Sequence, residues 1–115
     1  MHPAHLALLK KGHWFGGLPL SLQEQILQRS AVRSFGKGEF IIREGDAGRG
    51  MFALLHGRTR HVRWVGEAEE VLLHIGEPGV WFGEYPLLSG QPSVGSVIAE
   101  IDSRVLFLSA AEFER

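Results

Sequence analysis

Apolar and polar positions along the 115-residue chain fall into two regimes. In the first thirty residues they recur at helical spacing. Ala4, Leu6, Leu8 and Leu9 form a stripe that Lys10-Lys11-Gly12 closes, basic side chains followed by a glycine stop, so a short amphipathic helix is expected over 3–12. Trp14 and Phe15 follow in a turn with Gly16 and Gly17. Ser21-Leu22-Gln23-Glu24 has the form of a capping box and predicts a helix from about 22 to 30, with Leu22, Ile26 and Leu27 on one face. From Ala31 onward the apolar runs become short and glycine-bounded, the pattern of strands. Val32 and Phe35 open the series. The runs Glu39–Arg43, Met51–Leu55, Arg58–Val65, Glu70–Ile75, Val80–Phe82, Val94–Ile101 and Arg104–Leu108 continue it. The last two are expected to pair as a closing hairpin across an Asp102-Ser103 turn. Ser109-Ala110-Ala111-Glu112 is a second capping box, predicting a helix that starts at about Ala110.

The hairpin 58–75 carries the most detailed expectation. Setting Val65 opposite Glu70 across a Gly66–Glu69 turn places Trp64 against Val71 and Val62 against Leu73 on a core face. Ile75 and Arg60 then share that inward set. Thr59, His61, Arg63, Leu72 and His74 fall on the outer face, with His61 directly opposite His74. Two cross-strand imidazoles are the chain's candidate metal ligands, though no third ligand is evident. An inward Arg60 must either reach water at an open end or meet an anion or a carboxylate, Glu84 being the candidate partner.

Composition narrows the class. Formal net charge is −1, with no basic excess to hold nucleic acid. The absence of cysteine excludes disulfides and thiolate metal sites and fits a cytoplasmic location. Fifteen glycines spread between apolar runs indicate an all-β domain rich in tight turns. No stretch has the length to cross a membrane and no targeting segment stands out.

The chemistry concentrates between Gly79 and Ala99. The run Val80-Trp81-Phe82 ends at Gly83, and Glu84-Tyr85-Pro86-Leu87-Leu88 follows with proline in the first turn of a short helix. Such a helix directs free N–H groups toward one spot, suited to phosphate or carboxylate. Ser89-Gly90-Gln91-Pro92 then turns the chain back into a strand.

This segment resembles the phosphate-binding cassette of cyclic-nucleotide-binding domains, as found in the Crp/Fnr family of transcription regulators. Phe82, Gly83, Glu84, Leu87, Leu88 and Pro92 match the family pattern, and the order Gly-Glu-Phe-Ile-Ile, Glu-Gly-Asp, apolar strand extends the resemblance over roughly 14–115. It implies a mainly β fold: a jelly-roll (double-stranded β-helix) barrel over 31–109, flanked by N-terminal helices in 1–30 and by the start of a C-terminal helix at 110–115, all in one sensor domain. It also implies that Gly83 and Glu84 meet the ribose 2′-hydroxyl and the cyclic phosphate. The candidate ligand-binding set is Phe82, Gly83, Glu84, Tyr85, Ser93, Val94 and Arg60. At Ser93 the family carries an arginine that pairs the phosphate. A charge-assisted bond of that kind contributes roughly 1.5–3 kcal/mol, about ten- to a hundredfold in affinity.

The function so implied is effector sensing, not catalysis. The ligand is cyclic AMP, cyclic GMP or another small anion. The regulator would be a homodimer, with DNA contacted through a helix-turn-helix domain beyond the residues given, since in this family the helix at Ala110 begins the dimerising helix. Two alternatives stand beside it. One is a ligand-free structural or dimerisation module, with Tyr85, Trp81 and Pro86 filling the nucleotide space. The other is a cupin-like metalloenzyme, which needs inward histidines and a carboxylate.

Overall fold

The computed structural model describes residues 13–67 and 69–113; the helix expected over 3–12 lies outside them. Two short helices open the described chain, α1 (His13–Gly16) and α2 (Leu20–Arg29). Helix α2 begins two residues before the expected start, with Pro19 at the N-cap and no side-chain cap. The N–H groups of Leu22 and Gln23 both reach the Pro19 carbonyl at 3.0 Å, so Ser21 lies inside the first turn and not ahead of it. The shift changes the buried face. Leu22 is exposed, while Gln23 is buried beside Ile26 and donates to the carbonyls of Phe15 and Leu18 at 3.0 Å each.

Eight strands follow: β1 (Ala31–Phe35), β2 (Phe40–Ile42), β3 (Gly50–His56), β4 (Thr59–Val65), β5 (Glu69–Gly76), β6 (Trp81–Phe82), β7 (Ser96–Ala99) and β8 (Ser103–Ser109). A one-and-a-half-turn helix α3 (Glu84–Ser89) separates β6 from β7, and α4 (Ala110–Phe113) follows β8. The strands form two antiparallel four-stranded sheets, ordered β1-β8-β3-β6 and β2-β7-β4-β5. This is the expected mainly β jelly roll. The closing hairpin, however, does not form. β7 pairs with β2 and β4 while β8 pairs with β1 and β3, so the turn at Asp102 carries the chain from one sheet to the other.

That crossing explains the densest apolar runs. Strand side chains alternate between faces. Phe52 and Leu54 of β3, with Val105 and Phe107 of β8, point between the sheets to meet Phe82 and Val97. Ala53, Leu55, Leu106 and Leu108 point the other way, onto Phe15 and Ile26 of the helices. A strand covered on both faces has no polar positions to spare. Each of the larger side chains so buried contributes about 1.5–3 kcal/mol. At the end of β8, the Ser109 hydroxyl accepts from the Glu112 N–H at 3.2 Å, and α4 starts at Ala110 as its capping box predicts.

Candidate functional site

The β4–β5 hairpin is where the structure departs most from the sequence expectation. Thr59↔Gly76, Arg60↔Ile75 and His61↔His74 pair in the expected register, but the next pairs are Val62↔Leu72, Arg63↔Val71 and Trp64↔Glu70. One extra residue, Leu73, is accommodated as a bulge. The bulge lies on β5 and leaves the alternation of β4 intact, so Arg60 shares a face with Trp64, the face turned away from the core, where it reaches Glu70 opposite Trp64. At the tip, Trp64, Val71 and Leu73 are exposed and not core.

In the lower half the faces are reversed. Thr59 is fully buried, and His61 points inward with its ring edge-on to Phe82 at 5.4 Å. Arg60 points away and makes two bonds to Glu70 Oε1, from Nε at 3.1 Å and Nη2 at 3.0 Å. The expected Arg60–Glu84 pairing is thereby replaced by a half-exposed cross-strand ion pair. The imidazoles of His61 and His74 do face each other, with centroids 5.3 Å apart, and among the described residues no third His, Asp or Glu joins them.

The cassette folds as its glycines require. Gly83 caps α3 with φ +92°, and a Cβ there would lie 2.9 Å from the Gly50 carbonyl oxygen. Gly90 ends the helix at φ +73°, its N–H donating to the Pro86 carbonyl at 3.2 Å. Both are left-handed conformations that glycine adopts without strain. Past the helix, Ser93 is bound into the β2–β3 loop: its N–H donates to Asp46 O and its carbonyl accepts from Gly45 N–H, each at 2.8 Å. The Ser93 hydroxyl donates to Gly95 O at 2.7 Å, and the Ser96 hydroxyl accepts from Glu44 N–H at 2.8 Å.

Between α3 and the β4–β7 sheet lies a cavity of about 190 Å³, open to solvent on one side. It brings together five of the seven candidate residues, Phe82, Gly83, Glu84, Ser93 and Val94. Arg60 is not among its walls, and the Tyr85 side chain lies outside the described structure. Trp81 does not fill this space either; it stacks on Phe15 at 5.0 Å, across the sheet, whereas Pro86 is buried in the cavity wall. The sequence expectation set His61 on the outer face as a candidate metal ligand, whereas it lines the cavity. Its signal was the glycine opposite its strand. A Cβ on Gly76 would strike Thr59 Oγ1 and come within 3.0 Å of His61 Nε2, so Gly76 leaves the space in which Thr59 and His61 share a 2.9 Å hydrogen bond. Burial, and next the neighbouring His74, lower the His61 pKa to about 4. Its imidazole is therefore neutral near pH 7.

A wider groove of about 740 Å³ lies at the other end of the first sheet, beside Phe35, His56, Asp102 and Arg104. Its acids serve the turns: Asp102 accepts from Lys37 N–H at 2.9 Å and Glu39 from Gly36 N–H at 2.8 Å.

Comparison with known proteins agrees with this geometry. The chain is 37% identical over 84 residues to a cAMP-dependent protein kinase regulatory subunit of Hypocrea atroviridis, a match covering 73% of this chain and 17% of that protein. It spans less than a quarter of the length of such curated relatives. The catabolite activator protein of Thermus thermophilus superposes with a TM-score of 0.78 at 27% identity, over 87% of this chain and 47% of that one. The sensor domain of the transcriptional regulator DNR from Pseudomonas aeruginosa gives a TM-score of 0.83 over 97% of this chain and 75% of that one; at 22% identity the likeness is one of fold. Residues 32–115 match the family described as the cyclic nucleotide-binding domain, and this chain, with its β roll and its Phe-Gly-Glu turn at the cavity, belongs to that family.

Proposed function

We propose that the cavity receives a small phosphate-bearing effector of the cyclic nucleotide class, and that the domain is the sensing part of a Crp/Fnr-type transcription regulator. The observation that carries this reading is the gathering of Phe82, Gly83, Glu84, Ser93 and Val94 around one open cavity at the start of α3. Gly83 and Glu84 take the ribose and phosphate, with N–H groups of the first helical turn as donors. The role is regulatory and not catalytic, which fits the family to which the chain belongs. Occupancy would bias the position of the helix that begins at Ala110, a population shift that requires the ligand to prefer one arrangement. Homodimerisation, a DNA-binding domain outside these residues and a cytoplasmic setting complete the proposal; among the described residues no helix is long and apolar enough to cross a membrane.

Ser93 favours one other reading. With a neutral hydroxyl already bonded to Gly95, the cavity lacks the charge that would hold a phosphate, and the domain would serve assembly alone. Thermal unfolding with millimolar cyclic AMP or cyclic GMP separates the two. A ligand at a hundred times its Kd stabilises by about 2.7 kcal/mol, several degrees for a domain of this size. A shift in the wild type supports sensing. A shift only in Ser93→Arg means that the cradle is intact but takes another anion, and no shift in either favours the assembly role.

A further inference from the structure

The charge balance of the cavity points to a residue that the cassette comparison does not. Among the described residues its walls contain two ionisable side chains, His61 from β4 and Glu84 from α3. The remaining walls are apolar or hydroxyl-bearing, and Arg60 is committed to Glu70 on the opposite face. Among these described walls an anion therefore meets one group able to become positive. We propose that His61 is the receptor for the ligand's negative charge, taking up a proton as the anion enters, so that effector binding is coupled to acidity. The inference rests on the cavity being the effector site.

The surroundings of His61 suit this role from each side. On its own strand, Thr59 holds Nε2 at 2.9 Å; if both ring nitrogens carry protons, Nε2 donates to that hydroxyl and the second nitrogen becomes the charged donor. From β5, His74 faces the ring and opposes its protonation. From β6, Phe82 presents its ring perpendicular to the imidazole. From α3, Glu84 supplies the only carboxylate among the described residues of the cavity wall. β7 contributes Ser96 and Val97 and no charge. Near pH 7 the cavity wall thus presents a neutral imidazole, and a ligand phosphate supplies the counter-charge that reverses the balance.

The test is calorimetric titration of the whole chain with cyclic AMP, whose phosphodiester stays ionised throughout the range used. If the anion restores His61 to its ordinary value of about 6.5, affinity at about pH 5.5 is roughly tenfold tighter than at about pH 8. At about pH 6.5, titrations in two buffers of different ionisation enthalpy then show uptake of about half a proton per ligand. His61→Gln, which keeps a partner for Thr59, abolishes both the uptake and the pH dependence. His74→Gln removes the opposing neighbour and moves the profile to higher pH. Binding of equal strength at both pH values without proton uptake, or an unchanged profile in His61→Gln, overturns the role of His61 and leaves the effector site standing. Absence of binding of cyclic AMP and cyclic GMP at every pH overturns the cyclic-nucleotide reading of the cavity and, with it, the role of His61.

Discussion

Replacing Gly76 by alanine is expected to destabilise the protein through a specific collision, one that a second substitution removes. Gly76 is buried opposite Thr59, and an added Cβ would overlap Thr59 Oγ1 and stand 3.0 Å from His61 Nε2 and 3.1 Å from Val80 Cγ1. Thr59 is fully buried and cannot swing into solvent. Overpacking of this kind costs about 1–3 kcal/mol, and breaking the Thr59–His61 hydrogen bond about 0.5–1.5 kcal/mol more. Against this, alanine restricts the unfolded chain and recovers about 0.4–1 kcal/mol. The net expectation is a loss of about 1–3 kcal/mol, near 4 °C per kcal/mol for a domain of this length. Urea unfolding of wild type, Gly76→Ala, Thr59→Ala and the double variant measures it. Because Thr59→Ala deletes the atom that the new methyl strikes, the double variant should lose less than the two singles added together, by about 1 kcal/mol or more. Strict additivity would refute the collision and, with it, the account of why a glycine faces the Thr59–His61 pair.

Three further outcomes follow from the same geometry. His61 is a base whose folded pKa lies below its unfolded value, so the unfolded state binds the extra proton: stability is unaffected above about pH 6.5 and falls as pH drops from there toward about 4. Solvent screening at this half-buried site leaves a loss of about 1–2 kcal/mol, read as the pH-dependent difference between wild type and His61→Gln in urea melts. Leu54→Ala, at a fully buried position between the sheets, should cost about 2–5 kcal/mol, and a Tm lowered by less than a few degrees would contradict the rigid packing against Phe52, Val105 and Phe107. Glu70→Gln leaves Arg60 half-exposed without its ion pair and should cost no more than about 1 kcal/mol; a larger loss in denaturant melts would mean that the pair is more buried than it is here.

The parts of this fold legible in the sequence are those fixed by local chemistry. Gly83 and Gly90 bracket a helix because both positions need a left-handed backbone, and Ser109 caps α4 through a bond only three residues long. The cross-strand meeting of His61 and His74 was also legible, because the lower register of the hairpin is regular. What escaped depends on distant partners. Trp64 and Val71 have the composition of core residues but are exposed, and because β4 alternates without interruption, taking Trp64 as inward inverts Thr59, Arg60 and His61 with it. The separation of β7 from β8 is equally invisible locally: Asp102-Ser103 has the composition of a hairpin turn, and only the apolar faces of β3, already waiting for β8, decide which sheet it joins. At α2, Pro19 supplies the helical start that Ser21 would have supplied two residues later.

The placement of β7 and β8 also bears on how the chain acquires its structure. Each is an interior strand of its sheet, β7 between β2 and β4 and β8 between β1 and β3, yet both come from the last fifth of the sequence. During synthesis the earlier strands emerge with their pairing edges open. Neither sheet is complete until residues 96–109 leave the ribosome. Ala31 waits for Phe107. A domain assembled from such remote pairings is expected to fold in milliseconds to seconds, and not in microseconds. A chain interrupted before β7 would display unpaired apolar edges to its neighbours, the condition under which nascent β proteins aggregate.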